Sequence, residues 1–322
     1  MKLCTFEVRT ALGAVSRTGV VNGGDIIDIN TATAWRLAEE GEPRPQIVAD
    51  VLAPGNMLEF VQGWTTSLAH AAKTLAMELP ATGLRGARLR YRADEVWLSA
   101  PLPNPASLRD FYAFEQHVKT GFAKRGELVP QEWYEMPVWY RGSHQNIYGP
   151  DATVPWPRFT EKFDYELELA LVIGVAGSDV TEAEALRHVA GITVMNDFSA
   201  RDVQRREMKV RLGPAKGKDF ATALGPVLVT LDEIPDLYNL QMTARVNGEV
   251  WSEGSTRDLY WKFEQMIAFC TEGSRMEPGD VIGSGTVGTG CGLELDRWVR
   301  PGDVMELEIE KVGVLRNVVG TR

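Results

Sequence analysis

The sequence predicts a mostly β fold of the α+β kind, with a smaller β-rich domain over residues 1–100 and a second domain over residues 101–322. Three observations carry this. Short apolar runs bounded by Asn-Gly and Pro-Gly-Asp turns recur along the chain, whereas helical stretches are few. The 322 residues are 44% hydrophobic and 24% charged, enough to bury a large core without disulfides or a structural metal. The run Pro101-Leu102-Pro103-Asn104-Pro105 disfavours both helix and central strand, which places the domain boundary there.

Residues 18–29 set apolar side chains on either side of Asn22-Gly23, a strong hairpin signal, and Asp25-Ile26-Ile27-Asp28-Ile29 continues as a strand. Residues 31–41 and 65–78 read as helices. Beyond the boundary, Ser107 with Asp110 three residues later resembles a capping box, and Phe111, Phe114, Val118 and Phe122 recur at helical spacing. This pattern predicts a helix over much of 108–124. Residues 164–175 alternate and then become continuously apolar, as in a strand running from a site into a core. Further strands are expected at about 191–196, 225–231, 241–251, 279–284 and 304–313. Asn247-Gly248 forms a second hairpin turn, and Pro-Gly-Asp turns lie at 278–280 and 301–303.

Acidic residues outnumber basic ones 44 to 34, for a net charge of −10 without a basic stripe, which argues against nucleic acid as a partner. The start MKLCTFEVRT lacks the apolar run of a secretory signal, and no stretch approaches the roughly 18 apolar residues of a membrane span. Cys4, Cys270 and Cys291 are odd in number and far apart, with no CxxC pair, which fits a reducing cytoplasm.

Asp164, Glu166 and Glu168 project from one face if they lie on a strand. They form either a solvated edge or, beside the apolar run that follows, a site where a hard divalent cation neutralises them. Asp197 ends a strand within MNDFSARDVQRRE, where it serves a site or caps a helix. The polar and charged residues after it, Arg201, Asp202, Gln204 and Glu207, read as decoration of exposed turns. Lys218 in GPAKGKDF is a surface lysine or a ligand-facing one, since Gly217 permits close backbone approach. The spacing of a phosphate loop is absent. In DFYAFEQH, Asp110 and His117 share a helical face if the helix begins that early, and His117 is a catalytic base or a buried structural histidine. His70 and His188 read as packing or surface residues, and His144 as facing a loop. No GxSxG occurs, and Cys291 between Gly290 and Gly292 reads as a small residue in a tight turn.

Taken in order, DFYAFEQH, PVWYRG, DYELELALVIG, MNDFSARDVQ, GPAKGKDF, RVNGEVW and PGDVIGSGTVGTGCGLE resemble the fumarylacetoacetate hydrolase family over roughly residues 102–315. The resemblance implies a mixed β-sandwich roll for the second domain, a homodimer, and a Mg2+ or Ca2+ centre, with Mn2+ as an alternative. It implies metal ligands at Asp110, Glu166, Glu168 and Asp197, with Lys218 as the cation beside them. His117 resembles the general base and Glu294 the carboxylate that orients it. Tyr112, Arg125, Tyr140, Gln204 and Thr286 resemble substrate contacts. Smaller members carry RNYxxHxxE; here Asp110-Phe111-Tyr112 stands at its first part and Thr120 at its lid glutamate, so the chain follows the four-acid, hydrolase-like pattern.

The expected reaction is metal-dependent cleavage of a C–C bond in a 1,3-diketo acid of fumarylacetoacetate or acylpyruvate type, in aromatic catabolism. A divalent ion polarises the carbonyl, and a neutral imidazole takes a proton from water. The alternative is decarboxylation, hydration or isomerisation of a 2-keto acid at the same site.

Overall fold

The computed structural model describes residues 1–11 and 13–321. Its largest sheet has twelve strands. The main path runs Arg90–Arg92, Asp25–Asp28, Gly13–Asn22, Lys2–Thr10, Thr222–Val229, Val189–Asp197, Leu167–Ile173, Asp280–Gly283, Ser107–Phe111 and Trp139–Gly142. The N-terminal strands thus extend the sheet of the second half, joined where Lys2 and Leu3 pair with Val229 and Leu228. A second sheet of five strands runs Glu249–Ser255, Gln241–Val246, Val304–Ile309, Gly313–Val319 and Thr153–Val154. The architecture is mostly sheet, as the sequence predicts.

The continuous apolar run of Leu167–Ile173 has a direct cause. Leu167, Leu169, Leu171 and Ile173 point into a core shared with Met242, Ala244, Leu307 and Leu315 of the smaller sheet, which makes the sandwich. Ala170 and Val172 point the other way, against Phe60, Val61 and Trp64 of the helices Met57–Gln62 and Trp64–Leu75. A strand covered on both faces has no solvated side to keep polar. Glu168 belongs to that same fully buried strand, so its charge cannot be left to water.

Several local expectations change. The first hairpin turn is Gly23-Gly24, one residue later than Asn22-Gly23, because Asn22 pairs with Asp25. Ile29 opens the helix Ile29–Glu39, capped by Asp28, instead of ending a strand. The helix Pro45–Leu52 has no counterpart in the sequence reading. The predicted helix over 108–124 splits into the strand Ser107–Phe111 and the helix Glu115–Ala123. Residues 107–110 pair in parallel with 280–283, and residues 108–111 antiparallel with 139–142. Two ladders on either side outweigh a local helical period. Ser107 is no cap, since its hydroxyl donates to Asp280 Oδ1 at 2.7 Å. The turns at Asn247-Gly248, Gly279 and Gly302 form with the positive φ angles those sequences favour. Among the described residues, no helix is long and apolar enough to cross a membrane.

Candidate metal centre and proton-transfer site

Three strands bring Asp110, Glu168 and Asp197 together at the edge of the sandwich. Gly283 lies between the first two in the sheet, paired with Asp110 on one side and Ala170 on the other. A Cβ there would fall 2.4 Å from Asp110 Oδ1 and 3.2 Å from Glu168 Oε2, so only glycine lets these carboxylates approach across the strand. Gly285, at φ +76°, aims its N–H at Asp110 Oδ1, 3.1 Å away. Asp197 ends the Val189–Asp197 strand and accepts a 2.6 Å hydrogen bond from the Tyr140 hydroxyl. One ligand atom from each of the three acids lies within 4.8 Å of the others, all buried.

Burial raises the Asp110 and Glu168 carboxyls well above the carboxylate range; repulsion from Asp197 adds to both, and the charge of Asp110 adds to the rise of Glu168. Burial also raises Asp197, against the opposing pull of Lys218. Glu168 Oε2 and Asp197 Oδ1 are buried without a hydrogen-bond partner. Crowded carboxylates with unpartnered oxygens fit a hard divalent cation with oxygen ligands.

Glu166, the fourth acid, stands apart from this group of three. It reaches Lys218, which also binds Asp197, and Arg201 Nη2 lies 2.8 Å from its Oε1. Burial alone would raise the Glu166 carboxyl; Arg201 and Lys218 outweigh it and hold it below the carboxylate range. Asp164 does not join the acidic face. It accepts from the N–H groups of Gly292 (2.8 Å) and Leu293 (3.0 Å), pinning the short helix Gly292–Leu295 that carries Glu294.

The sequence reading places Arg201 on an exposed turn, and the structure corrects this. Arg201 is buried, donates from Nε to Asp164 Oδ2 at 2.7 Å, and holds Gln204 Oε1 at 3.1 Å from Nη1. It ties the Glu294 helix to Glu166. Its one sequence signal was its place four residues after Asp197, at the start of the helix Arg201–Met208, where a site-facing residue and a surface residue look alike.

His117 sits on Glu115–Ala123, not on a shared helix face with Asp110. Its Nδ1 lies 2.9 Å from Glu294 Oε2, outside hydrogen-bond alignment, and its Nε2 lies 3.8 Å from Glu166 Oε1. The Tyr112 ring packs edge-on against the imidazole at 5.3 Å, and burial pushes the Tyr112 hydroxyl up to about 12. Thr286 is buried and donates to Glu168 Oε1 at 3.3 Å, so it braces an acid of the cluster as well as facing the cavity. Arg125 is part-exposed and pairs with Glu127 at 3.1 Å. All twelve expected site residues except Asp197 line one cavity of about 1400 Å³, with Asp197 behind Tyr140 and Lys218. His144 is exposed outside it.

Comparisons with known proteins identify the family. A family model described as fumarylacetoacetate (FAA) hydrolase C-terminal matches residues 107–320. The chain is 31% identical over 321 residues to oxaloacetate tautomerase FAHD2A, mitochondrial, of Homo sapiens, covering 99% of this chain and 91% of that protein. It is 30% identical over 269 residues to oxaloacetate tautomerase YisK of Bacillus subtilis (strain 168), covering 83% and 87%. The solved fumarylacetoacetate hydrolase (EaFAH) from psychrophilic Exiguobacterium antarcticum superposes with a TM-score of 0.71 at 27% identity, covering 99% of this chain and all of that one.

Proposed function

Because the chain belongs to the fumarylacetoacetate hydrolase family, we propose that it is a metal-dependent tautomerase that interconverts the enol and keto forms of a 2-keto dicarboxylate of the oxaloacetate type. Two curated relatives, one aligned over nearly the whole chain, carry that activity in their names. The observation that carries the reading is the buried His117 and Glu294 pair, 2.9 Å apart, opening on the cavity that Asp110 and Glu168 also line. Tautomerisation changes no atom count: the enol O–H proton leaves, and the neighbouring carbon gains one.

Each group has a task in that exchange. His117 takes and returns the proton from Nε2, and Glu294 steadies the charge this places on the ring. Glu166, kept ionised by Arg201 and Lys218, faces the same ring, its Oε1 3.8 Å from Nε2. Asp110, Glu168 and Asp197, with Glu166 beside them, would hold Mg2+, Ca2+ or Mn2+. A bound divalent ion would polarise the keto oxygen and disperse the negative charge that develops there. Arg125 and Gln204 stand at the cavity wall, where they suit the distal carboxylate of the substrate.

Hydrolysis of a 1,3-diketo acid is the second reading, favoured by the equal-length fumarylacetoacetate hydrolase structure. The decisive assay follows the enol absorbance of freshly dissolved oxaloacetate with Mg2+ or Mn2+, with products identified by mass. The tautomerase reading expects faster decay of the enol with no change in mass. Unchanged decay, together with two carboxylic acids released from an acylpyruvate panel, would transfer the assignment to hydrolysis.

A further inference from the structure

We infer that Cys291, His117 and Glu294 form a second metal site, separate from the carboxylate cluster and suited to a borderline-soft divalent ion such as Zn2+. One ligand atom from each lies within 4.8 Å of the others. Glu294 Oε2 is 2.9 Å from His117 Nδ1 and 3.5 Å from Cys291 Sγ. Tetrahedral zinc, with bonds of about 2.0–2.3 Å, spaces its ligand atoms about 3.3–3.8 Å apart, near the two distances from Glu294, and the third pair lies within 4.8 Å.

A second observation points to a ligand independently of the cysteine. Glu294 Oε1 is buried without a hydrogen-bond partner on a side chain only 2% exposed, and the buried His117 Nδ1 has Glu294 Oε2 beside it at 2.9 Å but outside hydrogen-bond alignment. The donor set is nitrogen, sulfur and oxygen, the combination that selects zinc over magnesium, whereas the neighbouring cluster offers oxygen alone. A thiolate and a carboxylate balance the 2+ charge; binding releases the thiol proton to the buffer and leaves the single proton of the neutral imidazole on Nε2. His117 and Glu294 line the cavity, which gives the ion a path and leaves the fourth position to water, while Cys291 lies fully buried behind them.

The functional consequence rests on the tautomerase reading. Zinc on Nδ1 takes the imidazole away from Glu294 and blocks its proton cycle, so zinc inhibits an enzyme already saturated with Mg2+.

The test uses the full chain saturated with Mg2+ and titrated with Co2+ as a spectroscopic probe. The expected result is a near-ultraviolet thiolate-to-cobalt band with the intense visible bands of four-coordinate cobalt, displaced by stoichiometric Zn2+. The band persists in Cys270→Ala and is lost in Cys291→Ser, which keeps the volume, and in Cys291→Ala. Zinc inhibition weakens at least tenfold in both Cys291 variants while turnover without zinc is unchanged. Absence of the thiolate band in the unaltered protein overturns the site whatever the variants do. So does a band that survives both substitutions, or zinc inhibition relieved by excess Mg2+ and equal in Cys291→Ser. If the protein turns over no keto acid at all, the tautomerase reading fails, and the cobalt band still decides the site.

Discussion

Replacing Arg201 by methionine keeps most of the side-chain volume and removes the charge that Asp164 and Glu166 share, at 2.7 and 2.8 Å. Removing one partner of a buried ion pair costs about 3–5 kcal/mol, because the remaining charge is left without compensation. Unfolding entropy of about 2.1 cal/mol/K per residue amounts to about 0.7 kcal/mol/K for 322 residues, so the melting temperature should fall by about 4–7 °C. The penalty has a definite pH dependence. Burial already raises the Asp164 carboxyl, and Arg201 is the main force opposing that rise. Without Arg201 the folded pKa climbs further above its unfolded value. Such a carboxyl keeps its proton in the folded state, so stability is lost as pH rises from the unfolded carboxylate range toward the raised folded value. Urea unfolding at pH 5 and pH 8 should therefore show the larger loss at pH 8. Asp164→Asn should cost about 1.5–3 kcal/mol, the range for hydrogen bonds to a charged group, and the double variant should fall short of the sum by at least about 1 kcal/mol. A loss below about 1 kcal/mol in Arg201→Met, equal at both pH values and additive with Asp164→Asn, would refute this account of the network.

His117→Ala should lower turnover about 10²–10⁴-fold with little change in metal affinity, and Glu294→Gln should not add its full effect in the double variant; steady-state kinetics read both. Near wild-type turnover with a lowered melting temperature would instead make the histidine structural. Gly283→Ala should weaken Mg2+ binding at least tenfold by calorimetry, since the new methyl meets Asp110 Oδ1 at 2.4 Å. In metal-free protein, the raised Asp110 and Glu168 carboxyls lose stabilisation as pH rises, whereas a divalent ion competes better once those protons leave. The upward shift of melting temperature with Mg2+ should therefore grow from pH 5 to pH 8, and a shift independent of pH would count against the cluster as the metal site. Light scattering at micromolar protein should give a dimer mass if the family likeness extends to assembly.

The motifs legible in the sequence are those whose chemistry is local. The alternation and apolar run of residues 164–175, the Asn247-Gly248 turn and the strand ending at Asp197 each follow from spacing and turn chemistry within a dozen residues. Glu166 and Glu168 could be singled out because charged groups beside an apolar run require neutralising, and His117 because it shares a segment with Asp110 and Tyr112. Tertiary structure decided the rest. Ser107–Phe111 became a strand because two neighbouring strands offered ladders, a fact absent from its own helical period. Gly283 matters only because Asp110 and Glu168 arrive on either side of it from segments 58 residues apart. Arg201 reads as a surface charge until Asp164, 37 residues earlier, and Glu166 close around it. Sequence determines which residues carry charge and which segments prefer to be strands. Only the folded sheet decides which charges lose their water together, and that loss of solvent turns scattered carboxylates into one buried cluster and a distant arginine into the counter-ion of Asp164 and Glu166.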